Sequence, residues 1–248
     1  MKFQNKIAVI TGGNSGIGLA TAHELTQQGA RVIIIGRKPD AVAAAAKEVG
    51  SDTLGLVADV SRVADIERVF QTIREQVGRV DVLFVNAGIA KFTPLADSTE
   101  ALFDEMTDAN LKGAYFTVQR ALPLLSEGAS VIFTSTTAVH FGMPGASIYA
   151  AGKAGLNSLA RTLAIELASR KIRVNVVSPG PIATPIFGKM GLSEHAQKEV
   201  GGAILAQVPL ARFGEAGEIA KAVAYLASPD AAYVTGTELL VDGGMAQA

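Results

Sequence analysis

The 248-residue chain has no cysteine, no tryptophan and only three histidines. Without cysteine there are no disulfides, thiolate metal centres or cysteine nucleophiles, and a reducing compartment suits such a chain. The histidines, at positions 23, 140 and 195, are too scattered for a ligand cluster, so no metal site is expected. Charge of one sign is also missing: 22 Lys and Arg against 23 Asp and Glu leave a net charge of -1, which argues against nucleic-acid and polybasic membrane surfaces. Apolar residues make up 49 % of the chain. They come in short runs such as Ile7 to Ile10 and Val32 to Ile35, far below the roughly 18 that a membrane helix needs. The opening MKFQNKIAVITGG lacks the apolar h-region of a signal peptide, so a cytoplasmic protein without a membrane partner is expected.

What is present is alternation. Lys6–Thr11, Arg31–Gly36, Thr53–Ala58, Asp81–Asn86, Ser130–Ser135, Arg173–Ser178 and Glu238–Val241 read as strands. Several are apolar throughout, hence covered on both faces and parallel. Helical periodicity falls between them at Gly16–Gln28, Pro39–Val49, Arg62–Val77, Ser98–Leu125, Ile148–Ser169 and Ala216–Ala227, with an interruption of the fourth left open. This is the α/β pattern of a single doubly wound, Rossmann-type domain of about seven strands with helices on both faces. The long connection over 185–213 carries Ile186, Phe187, Met190, Leu192, Ile204 and Leu205, and is expected to form a substrate lid; a surface helix pair is the alternative.

The first strand runs into Thr11-Gly12-Gly13-Asn14-Ser15-Gly16-Ile17-Gly18 and then a helix. Glycines let the backbone turn tightly and approach a pyrophosphate, whose charge meets the free N–H groups at the helix start. Tight packing alone would also explain a glycine-rich turn; its place between a first strand and a first helix favours a dinucleotide. The tip of the second strand should carry an acid for an NAD ribose or a cation for an NADP phosphate. Gly36, Arg37 and Lys38 stand there, and the nearest acid, Asp40, follows Pro39 and suits a helix start. NADP(H) is therefore expected over NAD(H), the bland reading being a solvated pair of cations in a turn.

Tyr149 and Lys153 share one face of a predicted helix, one turn apart. An adjacent ammonium favours phenolate, which would lower the Tyr149 pKa and make the pair a proton-transfer device. Such spacing also arises by chance on surface helices. It does not stand alone: the glycine loop, Asn86-Ala87-Gly88, Asn110 in Asn-Leu-Lys-Gly113, Tyr149-Ala-Ala-Gly-Lys153, Pro179-Gly180 and the terminal Val241-Asp-Gly-Gly244 follow one another in order. In this the whole chain resembles the classical short-chain dehydrogenases/reductases.

The resemblance implies an oxidoreductase that interconverts a carbonyl and an alcohol. Tyr149 would be the general acid/base, while Lys153 would hold the nicotinamide ribose and Asn110 a water linking Lys153 to solvent. Gly12, Asn14, Ser15, Gly16, Ile17 and Gly18 would cradle the cofactor, with Arg37 on its phosphate. Asp59 and Val60 would contact the adenine, and Asn86, Ala87 and Gly88 would pass the adenine ribose. Pro179, Gly180, Ile182 and Thr184 would border the nicotinamide. It also implies a homotetramer, as do the small and apolar residues of Ser98–Leu125 and Ile148–Ser169, which exceed what one core needs.

Two positions depart from the family pattern. The hydroxyl thirteen residues before Tyr149 belongs to Thr136, with Ser135 one earlier, and strand alternation lets only one of them face the site. Gly152 stands where the family has serine, either at a helix cost of about 1 kcal/mol or to permit close backbone packing. The ending Val241 to Ala248 is similar to family C-termini that bind a structural Mg²⁺, with one Ala added, but oxygen sites leave little trace in sequence and no metal is assigned. His140, Phe141, Met143, Ile186, Phe187, Met190 and Leu205 are expected to line an apolar pocket for a small-molecule ketone or aldehyde. A 3-oxoacyl carrier-protein reductase is the nearest alternative, although Leu125-Ser-Glu-Gly-Ala129 offers an acidic carrier no cation. A sugar or polyol dehydrogenase, and a non-catalytic NADP-binding sensor, are the others.

Overall fold

A computed structural model of the chain describes residues 1–183 and 201–246. Seven parallel strands form one sheet in the order β3-β2-β1-β4-β5-β6-β9. They are β1 (Ile7–Thr11), β2 (Arg31–Gly36), β3 (Leu54–Val57), β4 (Val80–Val85), β5 (Leu125–Thr134), β6 (Arg173–Pro179) and β9 (Glu238–Val241). Two further strands, β7 (Ile182–Ala183) and β8 (Gly214–Glu215), make a small parallel ribbon that the sequence pattern did not announce. The helices are α1 (Gly16–Gln27), α2 (Pro39–Val49), α3 (Val63–Gln76), α4 (Glu100–Thr107), α5 (Gly113–Ala121), α6 (Ser147–Glu166) and α7 (Ala216–Ala227).

Alternation along each strand divides the core into two layers. Ile7 and Val9 of β1, Ile33 and Ile35 of β2, and Val131 and Phe133 of β5 meet Ile66, Val69, Phe70 and Ile73 of α3 and Leu156 and Ala160 of α6. Ala8 and Ile10, Val32 and Ile34, and Ile132 point the other way, onto Leu25 of α1, Val42 of α2 and Ile219 and Val223 of α7. Each such Ile or Val contributes roughly 1.5–3 kcal/mol by leaving water. Burial on both faces is why these strands read as unbroken apolar runs.

Three boundaries differ in ways that bear on the site. The expected helix Ser98–Leu125 is two helices joined by a π-helical turn at Asp108–Lys112, a feature often found where function bends a helix. The helix expected at Ile148–Ser169 ends at Glu166 and passes into a short 3₁₀ turn at Ala168–Arg170. Strand β5 begins at Leu125, not Ser130, because its first residue pairs with Val80 before a bulge. The strand order reverses between β1 and β4: the chain goes one way to β2 and β3, then returns to β4 on the other side. Brought together at that switch point are the carboxyl ends of β1 and β4, where ligands of open α/β sheets bind.

Candidate active site

The glycine loop leaves β1 at this switch point, and its glycines are required sterically. Gly12 has φ +66°. A Cβ on Gly18 would lie 2.2 Å from the Gly12 carbonyl oxygen, so only glycine lets the first turn of α1 lie against the loop. Ser15 precedes α1 without a side-chain capping bond, and the first turn carries no acid, so no side chain of this turn caps its N–H groups. Asn86 closes the far side: its Nδ2 donates to the carbonyl of Thr11 at 3.1 Å, and its Oδ1 accepts from Thr134 Oγ1 at 3.2 Å. Thr11 Oγ1 in turn accepts from the N–H groups of Asn86 and Ala87 at 2.9 and 3.0 Å. These bonds fix the floor of the cleft across β1, β4 and β5.

At the tip of β2, a Cβ on Gly36 would stand 2.3 Å from Asn14 Oδ1, so the loop lies directly on the strand end. Arg37 and Lys38 follow, both exposed, and among the described residues neither side chain has a hydrogen bond or ion pair, while the Lys38 carbonyl accepts from the Val42 N–H at 3.0 Å. Asp59 sits in a tight turn after β3, its Oδ1 accepting from the Ser61 N–H at 3.0 Å and hydroxyl at 2.8 Å. Beside it, the Val60 carbonyl packs so closely on Gly113 that a Cβ there would be 2.4 Å away. Pro179 ends β6, Gly180 abuts Asp242 closely enough to exclude a side chain, and Ile182 is buried at the start of β7. Thr184, and the expected lid as far as residue 200, lie outside the described residues.

Tyr149 and Lys153 are one turn apart near the start of α6. The Lys153 side chain is buried, with its Nζ donating to the Thr134 carbonyl at 2.7 Å. Gly88 makes room for it: a Cβ there would approach Nζ to 3.3 Å and Asn110 Oδ1 to 2.8 Å. Burial pushes the Lys153 ammonium down to about 8. The expected lowering of the Tyr149 pKa is reversed, because burial of the phenol raises it and outweighs the hydrogen bond with the Thr136 hydroxyl, which lowers it. Tyr149 is thus held as a neutral acid.

Thr136 and Ser135 take different sides, as strand alternation requires. The Thr136 hydroxyl meets Tyr149 and accepts from the Ala138 N–H at 3.3 Å. Ser135 is buried, and its Oγ donates to the Lys153 carbonyl at 3.2 Å, a bond from strand end to helix. Asn110, in the π-helical turn, is buried and clamps Ile89: its Oδ1 accepts from the Ile89 N–H and its Nδ2 donates to the Ile89 carbonyl, both at 2.9 Å. Among the described residues Gly152 makes no close approach, since a Cβ would meet Asn110 Cβ at 3.8 Å, ordinary contact. Close packing against the described residues therefore does not explain this glycine.

Two features were not readable in advance. His140, expected to line the pocket, has its Nε2 2.9 Å from Glu238 Oε1, which accepts from Ser178 Oγ at 2.5 Å. Phe92 packs edge-on against Tyr149, with ring centroids 5.8 Å apart and planes at 73°.

Residues 12–246 match a family described as enoyl-(acyl carrier protein) reductase. The 3-oxoacyl-[acyl-carrier-protein] reductase of Escherichia coli is 39 % identical over 248 residues, covering 99 % of each chain. The chain belongs to the short-chain dehydrogenase/reductase family. Among solved structures, levodione reductase superposes with a TM-score of 0.94 at 35 % identity over 99 % of both chains. A blue fluorescent protein from a metagenomic library, in complex with NADPH, gives 0.91 at 32 % identity over 99 % of this chain and 100 % of that one. Membership makes this protein an oxidoreductase acting on carbonyl and alcohol groups. Among the described residues, no helix of this short-chain dehydrogenase/reductase is long and apolar enough to cross a membrane.

Proposed function

We propose that this protein is an NADP(H)-dependent reductase of small ketones or aldehydes, working in the cytoplasm, with Tyr149 as the proton donor. The observation that carries the reading is the Tyr149 phenol, whose pKa burial raises, beside the Thr136 hydroxyl and one turn from buried Lys153. The bound nicotinamide would supply or accept the hydride. Tyr149 gives its proton to the carbonyl oxygen in reduction and takes one in oxidation. Thr136 orients that oxygen and stabilises developing alkoxide charge. Lys153 binds the ribose hydroxyls, and its charge favours phenolate once the proton has left.

The residues present fit the dinucleotide. Gly12, Gly18 and Gly88 stand where a Cβ would fill the cleft or displace its walls, and Asn14, Ser15, Gly16 and Ile17 complete the loop at the start of α1. Arg37, exposed beside the loop, suits a ribose phosphate by charge-assisted bonds. The NADPH complex of a structural neighbour supports the same choice.

The second reading, reduction of a carrier-bound 3-oxoacyl thioester, is favoured by the Escherichia coli relative. Local charge opposes it. Glu127 at the β5 start is exposed and paired with Lys171 at 2.6 Å, while Arg170 turns its guanidinium onto the carbonyls of Leu122 and Leu125. An acidic carrier would meet no free cation in that group. The test is NADPH consumption over free ketones, keto-esters, sugars and acyl thioesters. Preference for free ketones supports the proposal. Preference for thioesters establishes the carrier reading, and NADPH binding with no turnover establishes a sensor.

The same reading includes a homotetramer. Phe103 and Tyr115 are exposed on α4 and α5, and Leu111, Tyr115, Phe116 and Leu159 line an apolar groove of about 360 Å³ against α6. Apolar surface of this kind marks an interface. Light scattering at micromolar concentration should return several times the 25.6 kDa chain mass; a single chain mass refutes it.

A further inference from the structure

The segment between β4 and α4 is fastened at three places. Asn110 clamps Ile89 through two hydrogen bonds of 2.9 Å. Lys91 Nζ reaches both carboxylate oxygens of Glu105, at 2.7 and 2.6 Å. The Thr93 N–H donates to the Gly145 carbonyl at 2.9 Å. Gly145 has φ +78°, and a Cβ there would come within 3.3 Å of the Thr93 nitrogen, so this junction needs glycine.

Phe92 lies between the second and third fastenings. It remains 39 % exposed, so core packing does not explain it, yet its ring stands edge-on to Tyr149. Met143, also 39 % exposed, is carried by the loop that the Thr93–Gly145 bond ties down. An apolar ring held by polar bonds on both flanks, kept partly open to solvent beside the reacting phenol, is a surface prepared for an apolar group. The nearby polar side chains offer an anionic substituent little, because Lys91 is paired with Glu105 and His140 is turned to Glu238.

We propose that Phe92 is a specificity-determining residue: its ring receives a planar or bulky apolar substituent flanking the substrate carbonyl and selects aryl and cyclic ketones over short acyclic and polyhydroxylated ones. This rests on the ketone-reductase reading above and names its substrate class. Aromatic rings gain from edge-on and offset contacts beyond their buried area, so a planar substituent is the better occupant.

The experiment compares wild type, Phe92→Ala and Phe92→Tyr with NADPH and two substrates, an aryl methyl ketone and 2-butanone. Wild type should favour the aryl ketone. Phe92→Ala should lose on the order of 10- to 100-fold in kcat/KM for the aryl ketone, the range for losing apolar pocket contacts. Its kcat/KM for 2-butanone should change by less than about 3-fold, and Phe92→Tyr, which keeps the ring, should retain the preference. NADPH affinity and thermal unfolding of each variant confirm that the fold and cofactor site survive. Equal losses on both ketones mean a structural role, and no loss means no contact; either result overturns the proposal. A wild type that reduces neither ketone but reduces acyl thioesters overturns the ketone reading itself, and this inference with it.

Discussion

Thr136 and Ser135 are adjacent hydroxyls whose removal should damage different properties. The Thr136 hydroxyl faces Tyr149 and caps the turn at Ala138, whereas Ser135 reaches away from the cleft to the Lys153 carbonyl. Thr136→Val keeps the shape of the side chain and deletes the hydroxyl. If that hydroxyl stabilises developing alkoxide, its loss should cost about 2–4 kcal/mol in the transition state, roughly 30- to 1,000-fold in kcat/KM. Thr136→Ser should retain activity. Ser135→Ala removes one buried hydrogen bond, worth about 0.5–1.5 kcal/mol of stability. In a chain of this length that lowers Tm by roughly 2–4 °C per kcal/mol, while kcat/KM should stay within about 3-fold of wild type. The double variant should be little slower than Thr136→Val. Steady-state NADPH oxidation with one good ketone, run beside thermal unfolding, reads both properties. Near-normal turnover in Thr136→Val with a large loss in Ser135→Ala would refute the assignment.

Three further outcomes are expected. Arg37→Asp places a like charge beside the cofactor phosphate, so the ratio of kcat/KM for NADPH over NADH should fall by on the order of 10-fold or more; an unchanged ratio rejects the role of Arg37. Gly152→Ala adds a methyl at ordinary contact distance from Asn110, without a clash, so unfolding free energy should rise by about 0.5–1 kcal/mol, and a fall would show an unseen constraint. Lys153 is held down to about 8 against an ordinary 10.5, so between those values the unfolded chain keeps a proton that the folded chain has released. Stability should therefore rise with pH in that window, by up to roughly 3 kcal/mol relative to Lys153→Met, in urea unfolding of the two proteins. Parallel profiles would contradict the burial of its charge.

The sheet was legible because its strands are buried on both faces, so Ile7 to Ile10, Val32 to Ile35 and Val82 to Val85 carry unbroken apolar runs. Turn chemistry placed α2, which begins at Pro39 and ends before Gly50. The start of β5 was hidden because Ser126, Glu127 and Gly128 carry no strand pattern. Periodicity also could not show the π-helical turn, since a change from i+4 to i+5 bonding leaves the apolar residues almost where they were. At the site, spacing and alternation pointed to Thr136, and the Ser135 hydroxyl is engaged elsewhere, by the Lys153 carbonyl. The partners of His140 and Phe92 were not accessible, because Glu238 is 98 residues from His140 and the position of Phe92 depends on Asn110, Glu105 and Gly145 acting from three separate elements. The reversed shift of Tyr149 has the same origin: the helix spacing showed the neighbouring ammonium, but only the packed structure shows that burial is the larger effect.

The most direct test of proton donation by Tyr149 is Tyr149→Phe, assayed for turnover and for NADPH affinity in the same preparation. The ring and its edge-on contact with Phe92 are kept, and only the transferable proton is lost. Turnover should fall by on the order of 10²–10⁴ while NADPH affinity stays within about 3-fold of wild type. A variant that keeps more than roughly a tenth of the wild-type kcat would contradict a proton-transfer role of that size.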